Sequence, residues 1–492
     1  MYVVPQGNIM STPSIITFLT EHAEKKTVSF HMPGHKGSAI YRRFGYDDFL
    51  RKMMDCDITE IPGADNLFQT EGILKAAQEE YARLYDVQRS YLLINGTSCG
   101  VIAAIMASVP KGKKLVMARN SHKAIFNSLV LADIQPVYAY PEIIDEYGIS
   151  GGITANEIER CLAENPEAEA VILPSPNYYG ICSDIRAISE VVHKRGKILI
   201  VDQAHGAHLK FFRNVGFADM PESAEEQGAD IVINSIHKTL ASFTQSAVLN
   251  LNSERVDHYV LEDKLQMMES TSPSYLLMGS LDINAAILKE HQTTLMAEWH
   301  ESLMHFYLEA PKIKGLRVIG SPLDTEAGIR MDITKINLDM SAVGIDGAWL
   351  EELLMERGIF AELTTGPILM CMTGIGNSLD DSKRLLEALK EISECCGAAA
   401  PSPAKSSVTA VLKEKLRLFP VPQDKERIPL LEGAGRICAS SIIPYPPGIP
   451  FICPGEELTE EVIQYIKRLR DAGEKVIGIN DQGEIIVGRK TS

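Results

Sequence analysis

The chain has 492 residues, enough for about three units at roughly 100–200 residues each. Apolar residues make up 45% and charged residues 23%, the balance of a folded globular protein, which excludes wholesale disorder. With 48 lysines and arginines against 65 aspartates and glutamates the net charge is −17, which opposes binding to nucleic acid or to an anionic membrane surface.

No run approaches ~18 uninterrupted apolar residues, so no membrane-spanning helix is expected. The opening Met1-Tyr-Val-Val-Pro-Gln6 lacks a basic region followed by an apolar one, which argues against a secretory leader. Nine cysteines, thinly spread and with no CxxC or Cys/His ligand spacing, read as reduced thiols in a cytoplasmic protein with no metal site.

The first 30 residues read as an arm, with a short helical pattern from Ser14 to Lys26 that the proline and glycines of His31-Met-Pro-Gly-His-Lys-Gly37 break. Short apolar runs then recur at Tyr91–Ile94, Lys114–Met117, Ala170–Leu173, Ile198–Val201 and Asp230–Ile233. Helical stretches at Gly100–Ala107, Asn156–Ala163 and Ile185–Lys194 lie between them. Strands alternating with helices predict an α/β fold, a mostly parallel sheet covered on both faces. A long helical stretch after about Leu281 leads to a smaller α/β unit with strands at Leu316–Ile319 and Arg330–Thr334 and a helix at Gly347–Arg357. The small, polar, proline-bearing Ala398–Ser407 reads as a linker, and the last unit ends in a helix and a hairpin over Lys475–Val487. The expected divisions are an arm and lead-in at 1–64, a major domain at 65–300, a small α/β domain at 301–400 and a C-terminal domain at 401–492.

Parallel sheets place ligand chemistry beyond the carboxyl ends of their strands, and the polar motifs fall there. Lys238, in Ser235-Ile-His-Lys238, could form a Schiff base with an aldehyde, although a lone lysine is ordinarily a solvated side chain. Asp202 ends an apolar run, where a carboxylate needs a cationic partner such as a protonated pyridine nitrogen; a helix cap or structural ion pair would also serve. Asn95-Gly-Thr-Ser-Cys-Gly100 is a turn entering a helix, so Thr97, Ser98 and Cys99 could cradle a phosphate, or simply begin a capped helix. His122, after the run at 114–117, could stack on a flat ring. In one order on one α/β segment these pieces supply what pyridoxal 5'-phosphate requires.

With these motifs in place, the sequence resembles the fold-type I pyridoxal-phosphate enzymes, and among them the ornithine/lysine/arginine decarboxylase family. The matching elements are Phe30-His-Met-Pro-Gly-His-Lys-Gly37, Gly63-Ala-Asp-Asn-Leu-Phe68, Asn95-Gly-Thr-Ser98, Ser121-His-Lys123, Asp202-Gln-Ala-His-Gly-Ala-His208, Ser235-Ile-His-Lys-Thr-Leu240, Ser270-Thr-Ser-Pro-Ser-Tyr275 and Pro444-Tyr-Pro-Pro-Gly-Ile-Pro450. The resemblance is to a short branch without an N-terminal wing domain. It implies Lys238 as the Schiff-base lysine, Asp202 as partner of the ring nitrogen and His122 as the stacking group. Thr97, Ser98, Ser235 and His237 would hold the phosphate, joined by Ser270 or Thr271 from a neighbouring subunit; His205 departs from relatives with an aromatic residue there. It further implies a homodimer or dimer of dimers with shared sites, decarboxylation of a basic amino acid (arginine first, lysine or ornithine next) and a place in polyamine metabolism. Glu362, Asp65 and Glu432 are unranked candidates for the substrate's cationic end. Transamination or elimination on the same cofactor, and a cofactor-free scaffold, are the competing readings.

Overall fold

The computed structural model describes residues 14–320, 330–396, 416–445, 449–471, 473 and 475–489. Helix α1 (Ser14–Glu24) opens the described chain. Seven strands then build the large sheet: β1 (Arg89–Leu93), β2 (Lys114–Ala118), β3 (Gln135–Ala139), β4 (Ala168–Pro174), β5 (Ile198–Asp202), β6 (Ile231–Asn234) and β7 (Ala247–Leu251). Their order is β1-β7-β6-β5-β4-β2-β3, and only β7 runs against the others. The sequence reading missed β3 and β7. The first is half-exposed at the sheet edge and holds Pro136, and the second hides Asn250 among apolar residues.

Successive residues of these strands face opposite sides, and both sides are dry. Leu115, Met117, Ala170, Ile172, Ile200 and Ile233 enter one core, whereas Val116, Ala118, Val171, Leu173, Val201 and Val232 enter the other. Helix α2 (Gly96–Ser108) covers the first face, so closely that a Cβ on Gly100 would lie 2.5 Å from Leu93 Cδ1. It is followed by α3 (Lys123–Ala132), α4 (Ala155–Glu164) and α5 (Ile185–Lys194). Side chains cap the last two: Thr154 accepts from the Glu157 amide at 3.2 Å and Asp184 from the Ala187 amide at 3.1 Å. The short helix α6 (Ile236–Thr239) follows β6.

Helix α7 (Tyr275–Glu309), 35 residues long, runs unbroken from the large sheet past residue 300 into the second unit. There β8 (Arg317–Ile319), β9 (Lys335–Asp339), β10 (Leu363–Thr365) and β11 (Ile368–Met372) form an antiparallel sheet in the order β8-β9-β11-β10. Helices α8 (Gly347–Glu356) and α9 (Leu379–Cys396) belong to this unit. The strand expected at Arg330–Thr334 is not formed. Asp332 Oδ1 accepts the Thr334 amide at 3.0 Å and the Thr334 hydroxyl at 2.7 Å, a local turn that delays the strand to Lys335.

In the last unit β12 (Lys425–Pro429) pairs with β15 (Glu484–Gly488) and β13 (Ile443–Tyr445) with β14 (Lys475–Ile477), around α10 (Glu460–Asp471). The hairpin expected over Lys475–Val487 is therefore corrected: the chain does turn near Asn480, but its two arms pair with earlier strands rather than with each other. The linker expected at Ala398–Ser407 and residues 446–448 of the proline-rich motif lie outside the described residues.

Candidate active site

Six parallel strands end on one side of the large sheet, and the residues just beyond them meet in a cavity of about 380 Å³. From the expected set it gathers Thr97, Ser98, His122, Asp202, His205, Ser235, His237 and Lys238.

After β1 the chain turns through Gly96, at φ +72°, straight into α2. Asn95 provides no side-chain cap, so the first-turn N–H groups of this helix are left for an anion. Ser235 Oγ donates to Thr97 Oγ1 at 3.2 Å, tying the end of β6 to the start of α2. Burial pushes His237 down to about 4, and its Nδ1–H donates to the Ser246 carbonyl at 2.9 Å. A bound anion would draw that ring back toward its charged form.

Lys238 rides on α6. Its Nζ lies 3.0 Å from His205 Nε2 and 6.0 Å from the centre of the Tyr178 ring. Burial lowers its ammonium pKa, opposed chiefly by the negative charge of Asp202. Asp202 is 7% exposed, and Oδ1 accepts one backbone bond, from Ala204 at 3.2 Å. Burial raises its pKa while Lys238 pulls it down. A buried carboxylate with so few donors is suited to a cation placed beside it. His122 caps α3, its Nδ1 accepting the Ala124 amide at 3.3 Å, which puts the ring proton on Nε2. Burial and then the charge of Lys238 push it down to about 4, so it is a neutral ring near pH 7. His205 is held well below its ordinary value by burial, its ring centre 4.5 Å from that of Tyr178.

Three of the expected residues stand apart. Cys99 does not line the cavity: its thiol lies 3.0 Å from Glu269 Oε1, behind the turn, and burial raises its pKa. Ser270 and Thr271 are exposed and do not line the cavity of their own chain. Of the three acidic candidates, Asp65 is occupied as a cap, accepting amides from Asn66, Glu71, Gly72 and Leu74 at 2.8–3.0 Å. Glu432 is exposed in the last unit. Glu362 does not itself line the cavity; it is partly buried two residues from Thr364, which does, accepts the Met32 amide at 3.0 Å, and feels the charges of Lys238 and Lys36.

The sequence reading overlooked other lining residues. Tyr178 and Asn177 follow β4, and Arg119 follows β2, positions that the strand-end argument reaches. Thr364, Thr365, Pro450 and Phe451 come from the second and last units and carry no such signal. The last unit is fastened here by Arg119. Its guanidinium donates to Glu456 at 2.9 and 3.0 Å, to the Pro450 carbonyl at 2.7 Å and to the Phe451 carbonyl at 2.8 Å. Among the described residues there is no cluster able to hold a metal ion, and no helix long and apolar enough to cross a membrane.

The profile of the Orn/Lys/Arg decarboxylase major domain matches residues 13–316, and that of the C-terminal domain of the same family matches residues 411–485. The chain is 34% identical over 479 residues to a protein of Bacillus subtilis (strain 168) named arginine decarboxylase, with 95% of each chain covered. It is 32% identical over 473 residues to a protein of that name from Halalkalibacterium halodurans, with 94% of each covered. Its fold is similar to that of the constitutive lysine decarboxylase of E. coli, at 22% identity and a TM-score of 0.73 over 97% of this chain and 82% of that one.

Proposed function

The chain belongs to the Orn/Lys/Arg decarboxylase family, and from that premise we propose that it removes the α-carboxylate of L-arginine, giving agmatine and CO2, with pyridoxal 5'-phosphate as cofactor. One arrangement carries the reading. A buried amine, a buried carboxylate and an uncapped helix N-terminus share one cavity, and they complement an aldehyde, a protonated ring nitrogen and a phosphate. Arginine is placed first because relatives that cover nearly the whole chain carry that name; lysine and ornithine come next.

When bound, the cofactor supplies a carbonyl carbon for amines and an aromatic ring that accepts the electron pair left on Cα as CO2 departs. Thr97, Ser98, Ser235 and the N–H groups opening α2 would hold its phosphate, His122 would face its ring, and Asp202 its ring nitrogen. Burial favours the neutral, nucleophilic form of Lys238, and His205 Nε2 stands within hydrogen-bond distance to hold or return a proton at Nζ. Tyr178, Pro176, Pro450 and Phe451 give the cavity apolar walls, which exclude water from around a carboxylate about to become neutral CO2. We assign Glu362 to the distal guanidinium, since it is the acidic candidate that feels Lys238.

We read the assembly as a homodimer or dimer of dimers in the cytoplasm, serving polyamine metabolism. The exposed Ser270 and Thr271 would then complete a neighbouring cavity, and α1, with Ile15, Ile16, Phe18 and Leu19 exposed, offers an apolar surface to another chain.

The test is to incubate the pyridoxal-phosphate-loaded protein separately with arginine, lysine and ornithine, measuring CO2 and amine. Stoichiometric CO2 and agmatine from arginine, with kcat/KM at least about tenfold above the other two, is expected. Faster release from lysine or ornithine would reassign the substrate. Absence of CO2 from all three, with keto acid formed instead, would replace decarboxylation by transamination.

A further inference from the structure

Behind the loop that carries Asp202 and His205 lies a second set of charged groups, and it comes from the other unit. Lys335, at the start of β9, has no exposed side-chain surface, and neither has Asp332. The Lys335 ammonium donates to Asp332 Oδ2 at 2.6 Å, to Thr334 Oγ1 at 3.1 Å and to the main-chain carbonyl of His205 at 2.5 Å. Asp332 Oδ1 in turn lies 3.1 Å from His208 Nε2, so one ion pair grips the 202–208 loop at both His205 and His208.

The loop has no slack with which to absorb a loss of that grip. A Cβ on Gly206 would fall 2.6 Å from the Pro176 ring and 2.9 Å from Gln203 Cγ. Among the described residues the imidazole of His205 has a single hydrogen-bond partner, Lys238 Nζ, and its buried Nδ1 has none. Backbone placement therefore decides where this ring meets the amine. An ion pair buried this deeply gains little stability over apolar residues of the same volume, which leaves its geometry to explain it.

We propose that Lys335 is a positioning residue for the reacting amine: it fixes the main chain of His205, and His205 fixes Lys238 Nζ. This rests on the reading of Lys238 as the amine that joins the cofactor. It makes the second unit part of the catalytic apparatus, since moving β9 moves His205.

The other charged and titratable groups facing the Lys238 nitrogen are Asp202 from β5, Tyr178 after β4, Glu362 beside β10, and His122 and His237. All five remain in place in the variants proposed here. The experiment is a spectrophotometric pH titration of the visible absorption band of the loaded full-length enzyme, together with kcat and KM. Removing a positive charge and a tether, Lys335→Met is expected to raise the midpoint by about one pH unit and to lower kcat more than it raises KM. His205→Gln, which keeps Lys335 in place, is expected to lower kcat and shift the midpoint by itself; adding Lys335→Met still raises the midpoint, because the Lys335 charge acts on Lys238 directly, but should lower kcat little further.

A folded Lys335→Met enzyme with wild-type kcat would overturn the proposal, as would a full additional loss of kcat in the His205→Gln background. Should Lys335→Met not fold, an unchanged midpoint in His205→Gln overturns it alone. If the wild type itself develops no visible band with the cofactor, the functional reading fails before the positioning role is reached.

Discussion

Two buried imidazoles beside an amine give the site a pH dependence whose sign can be worked out. His122 and His237 are each pushed down to about 4 from an ordinary 6.5. Between those values the unfolded chain takes up more protons than the folded one, so their contribution is complete above pH 6.5 and is lost as pH falls toward 4. In the cofactor-free chain, urea unfolding at pH 7.5 and at pH 5 should show the wild type losing about 2 kcal/mol more than His122→Gln. An equal loss in both would contradict the neutral ring. Lys238, Asp202 and His122 were legible because each stands just past an apolar run, where the chemistry of a parallel sheet must lie. Cys99 was not, since its three-residue offset from Gly96 turns it around the helix toward Glu269. Nor was the contact between His205 and Lys238, which depends on a tertiary distance of 3.0 Å between groups 33 positions apart.

At the scale of elements, β1, β2, β4, β5 and β6 announced themselves as apolar runs with polar ends, α4 and α5 as helical stretches between them and α8 as an amphipathic one. Elements whose pairing or turn chemistry overrides local pattern were misread, as the Asp332 turn and the divergent arms of β14 and β15 show. Glycines at close approaches were also opaque. Gly34, in the His-Met-Pro-Gly-His-Lys motif, donates its amide to the His237 carbonyl at 2.7 Å, and a Cβ there would lie 2.4 Å from the Thr239 carbonyl carbon. Those are backbone atoms, which cannot yield as a flexible side chain would; Gly206 instead meets side chains, the Pro176 ring at 2.6 Å and Gln203 Cγ at 2.9 Å, of which the ring is the stiffer. Gly206→Ala is expected to cost about 1–3 kcal/mol in chemical denaturation and to lower kcat by displacing His205. Wild-type stability and turnover would show that the loop has room to spare.

For the molecule as a whole, three units converge on one cavity, and the last is held there by a buried ion pair. Arg119 is 5% exposed and Glu456 is 1% exposed. Arg119→Met would leave the carboxylate buried without its partner, at a cost of about 3–5 kcal/mol, and would free Pro450 and Phe451 from the cavity wall. The expected result is a lower thermal midpoint and a raised KM for arginine, with much of the stability restored by the Arg119→Met/Glu456→Met pair. A raised KM that persists in that double variant would mark the carbonyl contacts, rather than charge balance, as what shapes the wall. Nothing in local sequence pattern announces this convergence, because Arg119 and Glu456 are 337 positions apart.

The most direct measurement is chemical trapping of the cofactor's attachment point. The loaded protein is reduced with borohydride, digested, and its peptides weighed. A single added mass, that of reduced pyridoxal phosphate, is expected on Lys238, absent from Lys238→Ala together with the visible band. The label on another lysine, or no label while the wild type still releases CO2 from arginine, would contradict the site described.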